Sequence, residues 1–271
     1  MINYRGLSYY LGKMKVREFM SSNPLVVGSN ITIAEALDRM KERDVWSPVV
    51  REEGEIIGFL TERDILTGII AARLTPHQVK VEDVMSRRYG VLRPDETLAD
   101  AARAMMKVKA RLVVLEDGQL LGVVTAADIV RAYAGTATVS PPLRPYATWE
   151  VLKVHYQASV REAVRIMKVE RVGSLLVEEE RKIKGIFTER DAVKRFLVGG
   201  GDPCDPVGKY STLDLITLDA NATLVEAAKL MANAKIKRLP LTSEGEIKGI
   251  ITARDVVEAI WRMTTEEELA P

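Results

Sequence analysis

Apolar residues are concentrated in four pairs of short runs spread along the chain. The pairs are SPVV with EIIGFL, RLVVL with QLLGVV, SLLV with KIKGIF, and RLPL with EIKGII. Short continuous runs rich in Val, Ile and Leu predict buried strands. Three pairs are separated by an acidic residue and a glycine, as at Glu53-Gly54, which is typical of a tight hairpin turn. The third pair has Glu180-Arg181 at this place and is expected to need a different turn.

A capped helix is predicted before each hairpin. A hydroxyl residue stands three positions before an acid, which is the capping-box arrangement of a helix N-terminus. The four pairs are Thr32 with Glu35, Thr97 with Asp100, Ser159 with Glu162, and Thr223 with Glu226. An alanine follows each acid and a methionine comes four positions later, so both lie on one helix face. The methionines, predicted to be core residues rather than sulfur ligands, are Met40, Met105, Met167 and Met231.

The clearest repeat is the motif Gly-x-x-Thr-x-x-Asp, which ends the second run of each hairpin. Its copies are GFLTERD at 58–64, GVVTAAD at 122–128, GIFTERD at 185–191, and GIITARD at 249–255. Successive motif threonines are 64, 63 and 64 residues apart. A second amphipathic helix is predicted after each motif, over residues 65–72, 129–133, 192–198 and 256–263. Each repeat therefore reads strand, helix, strand, strand, helix, and the predicted fold class is α/β in the form of α+β repeats.

The repeats define the expected domain organisation. They are predicted to cover residues 14–73, 79–134, 147–199 and 205–263. A turn-rich linker with three prolines, residues 135–146, separates the second repeat from the third and indicates a division into two consecutive pairs. An N-terminal arm (1–13) and an acidic tail (264–271) flank the repeats. Pairing is expected because a three-stranded sheet with helices on one face cannot cover its core alone.

Composition narrows the class of protein. The 271 residues include 39 basic and 38 acidic side chains, and this balance argues against a dedicated nucleic-acid-binding protein. The single cysteine, Cys204, and the distant His77 and His155 provide neither a disulfide framework nor metal-ligand spacing. No apolar run reaches the ~18 residues of a membrane span. With a polar N-terminus unlike a signal peptide, the sequence favours a cytoplasmic protein without a metal or a membrane anchor.

These motifs resemble those of the cystathionine-β-synthase (CBS) domain family. The Gly-x-x-Thr-x-x-Asp motif before a helix, the capped first helix and the RLPL-type strand carry the resemblance, which covers nearly the whole chain. Four copies imply two Bateman modules in a disc-like arrangement. This layout is similar to that of the gamma subunit of AMP-activated protein kinase and of archaeal four-repeat proteins. The family implies that AMP, ADP or ATP binds in clefts between paired repeats.

The resemblance implies that the motif threonine and aspartate hold the ribose. A carboxylate can accept hydrogen bonds from two vicinal hydroxyl groups, and the motif glycine would let the backbone approach the ligand closely. The implied ribose residues are Thr61, Asp64, Thr125, Asp128, Thr188, Asp191, Thr252 and Asp255. Thr-x-x-Asp before a helix is also an ordinary cap that needs no ligand, so an empty site is the alternative for any one repeat.

Basic residues distinguish the even repeats from the odd ones. Fourteen residues before the motif threonine, the even repeats have Arg111 and Arg238, whereas the odd repeats have Ser47 and Ser174. The resemblance implies that both arginines and Lys237 reach the nucleotide phosphates. A planar guanidinium suits this role because it can hold phosphate oxygens at two points.

Other implied contacts are less specific. Lys153 and Arg254 are further phosphate candidates, and a surface position is the alternative for Lys153. The implied adenine and cleft residues are Val26, Ser47, Ser174 and Thr217. Two motif arginines, Arg63 and Arg190, could face a phosphate or lie on a solvated helix face.

The fourth repeat matches the family best, whereas the second departs most because it has Ala126-Ala127 within the motif.

The favoured function is a non-catalytic sensor of energy state. Adenine-nucleotide binding would rearrange the modules and signal to an unknown protein partner in trans, and further pairing into a homodimer is left open. The alternatives are a ligand-free scaffold for protein–protein contacts and a binder of another adenosyl ligand such as S-adenosylmethionine. An enzyme is not supported, because the sequence has no nucleophile–base constellation and no Walker loop.

Overall fold

The computed structural model describes residues 11–136 and 140–268. Parts of three predicted segments lie outside this range: residues 1–10 of the N-terminal arm, 137–139 of the linker and 269–271 of the acidic tail. The predicted order of strand, helix, strand, strand, helix is found in all four repeats.

In the first half of the chain, each repeat begins with a one-turn helix that the sequence pattern did not predict. The first repeat consists of α1 (Val16–Phe19), β1 (Ser21–Ser22), β2 (Val26–Gly28), α2 (Ile33–Glu42), β3 (Val49–Glu52), β4 (Glu55–Phe59), α3 (Glu62–Ile65) and a π-helix (Leu66–Ile70). The second consists of α4 (Val81–Val84), β5 (Gly90–Leu92), α5 (Leu98–Val108), β6 (Leu112–Glu116), β7 (Gln119–Val124) and α6 (Ala126–Thr136).

In the second half, a 3₁₀ helix takes the place of the short leading helix. The third repeat consists of a 3₁₀ helix (Arg144–Tyr146), β8 (Lys153–His155), α7 (Val160–Val169), β9 (Ser174–Glu179), β10 (Lys182–Thr188), α8 (Glu189–Asp191) and a π-helix (Ala192–Leu197). The fourth consists of a 3₁₀ helix (Val207–Tyr210), β11 (Leu218–Asp219), α9 (Leu224–Ala234), β12 (Arg238–Ser243), β13 (Glu246–Thr252) and α10 (Ala253–Glu268). The last helix of a repeat is thus α-helical in the even repeats and becomes π-helical in the odd ones.

Each repeat builds a sheet with the same topology. The first strand runs parallel to the second, and the second is antiparallel to the third. The capped helix is the crossover connection that a parallel strand pair requires. The strand orders are β2-β3-β4, β5-β6-β7, β8-β9-β10 and β11-β12-β13, and β1 adds a fourth strand beside β7.

All four hairpin turns share one backbone conformation. The residue pair at the first turn has φ values of 48° at Glu53 and 92° at Gly54. Glu180 and Arg181 also have positive φ values, 50° and 61°. The prediction that the third repeat needs a different turn was therefore wrong. The twist of the flanking strands selects this turn, and Arg181 adopts it at a steric cost that glycine would avoid.

The predicted helix caps and core methionines are confirmed, with one partial exception. In α2, the Glu35 N–H donates to Thr32 Oγ1 at 3.2 Å, and the Thr32 N–H donates to the Glu35 carboxylate at 2.8 Å. The equivalent reciprocal bonds begin α5 and α9, whereas in α7 only the Glu162 N–H to Ser159 Oγ bond forms. The four predicted methionines are at most 7% exposed.

A lead segment precedes each repeat and pairs with the repeat that is its neighbour in the chain. The lead segments are residues 20–22, 85–87, 147–149 and 211–213. Thr212 and Ile186 exchange two backbone hydrogen bonds of 2.9 Å, and Ser86 pairs with Phe59 in the same way. The first and second repeats therefore exchange lead segments, and so do the third and fourth.

The motif glycine makes this pairing sterically feasible. A Cβ atom added to Gly185 would lie 2.6 Å from the carbonyl oxygen of Thr212, and one added to Gly122 would lie 2.8 Å from that of Ser21. Backbone of a lead segment therefore occupies the space on the Cβ side of these glycines. Glycine is needed since any side chain would overlap the paired carbonyl group.

The structure divides into two compact units. One combines residues up to Asn23 with 88–150 and 216–271, and thus holds the bodies of the even repeats. The other combines 24–87 with 151–215, the bodies of the odd repeats. Helix packing in each unit builds separate apolar cores. The units therefore group alternate repeats, whereas the linker had indicated consecutive pairs; consecutive repeats are connected by the exchange of lead segments.

We expect Gly185→Ala to lower the free energy of unfolding by about 1–3 kcal/mol, because the added methyl group overlaps the Thr212 carbonyl. Urea denaturation measures the change. Gly135→Ala in α6 is the matched control: its Cβ would meet nothing within 4 Å, and alanine favours a helix by up to ~1 kcal/mol. Equal stability of the two variants would contradict the role given to the motif glycine.

Candidate functional site

Four candidate sites are centred on the motif aspartates at the starts of the last helices. In every repeat the threonine N–H donates to Oδ2 of the aspartate, at 2.8, 2.8, 2.9 and 2.7 Å in chain order. The motif is thus a helix cap in all four repeats, and the cap uses one carboxylate oxygen. Only Oδ1 can receive a ligand hydroxyl without breaking the cap.

In the second repeat, side chains of the chain itself occupy Oδ1 of Asp128. Arg131 Nη2 donates to this oxygen at 2.6 Å, and Ser21 Oγ donates to it at 3.0 Å. Asp128 is only 3% exposed. Both carboxylate oxygens are therefore saturated by hydrogen bonds, so a ribose at this site would have to displace Arg131 and Ser21.

The third repeat is intermediate. Asp191 Oδ1 lies 3.4 Å from Arg195 Nε, one helical turn further along the chain. Burial raises the pKa of Asp191, while the Thr188 hydroxyl and Arg195 oppose this shift. A partly exposed arginine therefore stands beside the oxygen that would receive a ligand.

In the fourth repeat, Asp255 Oδ1 has neither a hydrogen bond nor an ion pair within the described residues. The positions that hold Arg131 and Arg195 in the other repeats hold Glu258 and Ala259 here. Burial raises the pKa of Asp255, the Thr252 hydrogen bonds lower it, and the nearby Glu258 raises it further. The half-buried Oδ1 thus faces a place where a hydroxyl donor would be favourable.

The predicted cations of the fourth repeat lie next to its motif. Arg238 is directly opposite Thr252 in the β12–β13 ladder, and the Ala253 N–H donates to the Lys237 carbonyl at 2.8 Å. Arg238 and Thr252 are fourteen residues apart in the sequence because they are paired across the β12–β13 hairpin. In the second repeat, Arg111 precedes β6 by one residue and lies beside Thr125 in the same way, because Leu112 is opposite Val124.

The other predicted cations have different surroundings. Lys153 on β8 forms an ion pair of 3.5 Å with Glu178 on the next strand, and its side chain is 48% exposed. Arg254 is exposed in the first turn of α10. Of the predicted cleft residues, Val26 lies in β2 and Thr217 lies directly before β11, while Ser174 is opposite Thr188 in the β9–β10 ladder and Ser47 lies before β3.

The two odd motifs are joined to each other by reciprocal ion pairs. Arg63 Nε lies 2.6 Å from a Glu189 carboxylate oxygen, and Arg190 Nε lies 3.3 Å from one of Glu62. Arg63 and Arg190 had been left open between a phosphate contact and a solvated face. Each instead binds the motif glutamate of the other repeat. Alanine replaces that glutamate in both even motifs, so the even motifs cannot form the same ion pairs with each other.

A further cation near the first site comes from the third repeat. Trp46 occupies the position that Lys237 has in the fourth repeat, fifteen residues before the motif threonine. Lys194 Nζ lies 5.3 Å from the centroid of the Trp46 ring and 2.9 Å from Asp44 Oδ1. A basic group thus lies over the Trp46 ring, and it comes from the third repeat.

Sequence reasoning missed the hydroxyl residues of the lead segments. These residues, each paired next to a motif glycine, are Ser21, Ser86, Thr148 and Thr212. Their positions differ by 65, 62 and 64 residues, which is the period of the motif itself. This periodicity was the signal that could have identified them.

Membrane-spanning helices and metal-binding clusters are both absent from residues 11–136 and 140–268. No helix there is both long enough and apolar enough to cross a membrane. No group of three or more His, Cys, Asp or Glu residues in these ranges could hold a metal ion.

Comparison with known proteins identifies the family. The CBS domain matches residues 16–71, 81–135, 143–198 and 207–262. The chain belongs to the CBS-domain family. Each matched range begins with the short leading helix or just before it, so the family unit includes the lead segment.

Two archaeal proteins are similar to this chain over about two thirds of its length. Protein MJ1225 of Methanocaldococcus jannaschii is 28% identical over 196 residues, which cover 67% of this chain and 69% of that protein. A 33.4 kDa protein in the ribosomal RNA operon of Thermofilum pendens is 29% identical over 192 residues, 66% of this chain and 63% of that protein. The Thermofilum alignment thus spans less than two thirds of that relative.

Solved structures show that the fold is shared. The crystal structure of MJ1225, proposed to be an archaeal homolog of g-AMPK, has a TM-score of 0.78 at 20% identity and covers 91% of this chain and 99% of that one. A conserved protein from Pyrococcus horikoshii has a TM-score of 0.64 at 24% identity, with coverages of 91% and 100%. The four-repeat arrangement of this CBS protein therefore occurs in other chains.

The reciprocal ion pairs should couple the two odd motifs energetically. In a double-mutant cycle with Glu62→Gln and Arg190→Gln, we expect a coupling free energy of about 1 kcal/mol, because the Glu62 side chain is only 9% exposed. Chemical denaturation of the four proteins measures it. Arg93 and Asp95, an ion pair with side chains 79% and 62% exposed, should give a value near zero. Similar values for both cycles would contradict the coupling.

The raised pKa of Asp255 predicts a specific pH dependence. A carboxyl whose pKa is higher in the folded state stabilises the fold at low pH, and this contribution is lost as pH rises through the folded pKa. We therefore expect the stability of the natural protein relative to Asp255→Asn to fall as the pH rises above the ordinary aspartate value of about 4. Glu226→Gln is the control, because the Thr223 hydrogen bonds lower the pKa of Glu226 and the slope should be opposite. Slopes of the same sign would refute this assignment.

Proposed function

We propose that this CBS protein is a non-catalytic regulatory protein that binds AMP, ADP or ATP and signals energy state to a protein partner in trans. The observation that carries the proposal is the arrangement of the fourth repeat. There Asp255 Oδ1 accepts no hydrogen bond from any residue that the structure describes, and Arg238 is opposite Thr252 in the strand register.

The chemistry of this site fits a nucleoside phosphate. Asp255 Oδ1 can accept a hydrogen bond from a ribose hydroxyl while Oδ2 keeps its bonds to Thr252. A charged acceptor makes such a bond about twice as strong as a neutral one. Lys237 and Arg238 supply positive charge on the adjacent strand end, where a phosphate would be favourable. Ribose and phosphate contacts are thus available within one repeat.

Signalling would use the lead segments. The lead segment around Thr148 pairs with Ile250, two residues before the motif threonine, through backbone bonds of 2.8 and 2.9 Å. A ligand that favours one position of this segment would shift the population of conformations by its differential affinity. Because the lead segment belongs in sequence to the third repeat, such a shift would reach beyond the repeat that binds the ligand.

An alternative is supported by the second repeat. Asp128 is saturated by Arg131 and Ser21, as expected for a repeat that acts as scaffold rather than as nucleotide site. Binding of another adenosyl ligand, such as S-adenosylmethionine, would use the same ribose contact without the phosphate contacts. Arg238 is therefore the residue that distinguishes the two ligand classes.

Isothermal titration calorimetry tests the ribose contact. We expect Asp255→Asn to weaken AMP binding about tenfold, because a charged hydrogen-bond acceptor becomes neutral. Asp128→Asn is the matched control and should leave AMP affinity unchanged. The proposal fails if AMP, ADP and ATP all bind more weakly than about 1 mM.

A second variant assigns the phosphate contact in the same titrations. Arg238→Gln should weaken AMP binding about tenfold while leaving adenosine binding unchanged, because adenosine has no phosphate. Equal losses for AMP and adenosine would show that Arg238 acts only on structure. Tighter binding of S-adenosylmethionine than of AMP to the natural protein would instead favour the alternative ligand.

A further inference from the structure

A groove of about 660 Å³ lies in the unit of the odd repeats, and the proposed nucleotide chemistry does not use it. It is lined by the end of the first repeat's π-helix, by one face of α7 and by the end of the third repeat's π-helix. The motif residues of these repeats are not among its lining residues. The groove is therefore a separate feature that needs its own explanation.

The inner surface of the groove is apolar. Ile69 and Phe196 form part of it and are 0% and 3% exposed, so they belong to the cores. Leu74 and Val169 also line it, yet they are 49% and 63% exposed. Large apolar side chains that stay exposed around a concave surface are typical of a binding site.

Positive charge surrounds this apolar surface. Arg161, Arg165 and Lys168 line the groove from α7, and their spacing of four and three residues places them on one helix face. Arg73 adds a fourth cation from the first repeat, and Glu162 is the acidic residue in the lining. The lining thus carries a net charge of +3, from four cations and one acid.

The cationic face is specific to the third repeat and is no requirement of the fold. At the positions equivalent to Arg161, Arg165 and Lys168, the other repeats have a mixture of small, apolar, acidic and single basic residues. These residues are Ala34, Asp38 and Lys41 in α2; Ala99, Arg103 and Met106 in α5; and Val225, Lys229 and Ala232 in α9. Packing of the first helix therefore does not explain three cations.

Internal carboxylates do not neutralise these cations. Within the described residues, Lys168 Nζ reaches the Thr67 carbonyl at 3.5 Å and Arg161 Nη2 reaches Cys204 Sγ at 3.8 Å. Neither partner carries a negative charge. A concave surface lined by cations of this kind raises the local concentration of anions.

We propose that the groove binds a small amphipathic anion: an aliphatic chain with a carboxylate or phosphate head group. The chain packs against Ile69, Leu74 and Val169, and the head group pairs with Arg161 and Arg165. The volume lies within the roughly 300–1,000 Å³ of small-molecule sites, which favours such a ligand over a docked helix.

Calorimetry with n-alkyl phosphates and decanoate tests this site, with the full chain saturated with AMP so that nucleotide sites do not contribute. We expect decyl phosphate to bind, with affinity falling about fourfold for each methylene removed from the chain. The double variant Arg161→Glu and Arg165→Glu should weaken binding at least tenfold. Both side chains are exposed, and Arg161 lies in the first turn of α7, where a glutamate is favourable, so the variant should stay folded. Comparison with decanoate identifies the preferred head group.

Lys229→Glu, at the position of α9 that corresponds to Arg165, is the matched control and should bind decyl phosphate like the natural protein. Three results would overturn the proposal. They are unchanged affinity in the double variant, equal affinity for decyl phosphate and inorganic phosphate, and binding of an acidic amphipathic helical peptide but of neither alkyl anion. The last result would make the groove a protein-docking surface.

Discussion

In each repeat, the carbonyl group of a lead segment lies against the motif glycine. A Cβ atom at Gly122 would lie 2.8 Å from the Ser21 carbonyl oxygen, and one at Gly249 would lie 2.8 Å from the Trp149 ring and 3.0 Å from the Thr148 carbonyl oxygen. This contact has two consequences. It places a hydroxyl residue of each repeat beside the motif of the repeat with which it exchanges lead segments, and each repeat is thereby divided between the two compact units. In the second repeat this residue, Ser21 of the first repeat, donates a hydrogen bond to Asp128.

The Thr-x-x-Asp cap is present in every repeat, but the Oδ1 oxygen of its aspartate has different surroundings. The residue one helical turn later determines whether a cation binds this oxygen. Arg131 binds the remaining oxygen of Asp128, and Arg195 stands near that of Asp191. Glu258 and Ala259 leave Asp255 Oδ1 without a hydrogen bond or an ion pair among the residues that the structure describes. Under the proposed function, the cap serves as a ligand site where no cation binds this oxygen from the next helical turn, since an ionised carboxylate strongly favours either a cation or a hydrogen-bond donor.

The two compact units also differ in how their motifs are connected. In the odd unit, glutamate and arginine of one motif bind arginine and glutamate of the other. In the even unit, alanine takes the glutamate position and such pairs are absent. The sequence contains these residues, but it does not show that Arg63 and Glu189, which are 126 residues apart, are in contact. The identity of the partner depends on helix packing between alternate repeats.

The sequence by itself determined the strands, the caps, the core methionines and the four-fold repeat. These features depend on contacts between residues a few positions apart, such as Thr32 with Glu35, so that local pattern suffices. The sequence-based prediction of a different turn at Glu180-Arg181 failed, because strand twist imposed a conformation that these residues disfavour. Only the tertiary structure decided which motif aspartate keeps an open oxygen, and what the motif glycine admits. The space beside the motif glycine is filled by a lead segment from a neighbouring repeat, and Asp128 Oδ1 is bound in part by Ser21, 107 residues away. The period of the lead segments indicates a repeated role for them, but pairing between distant residues is seen only in the folded chain.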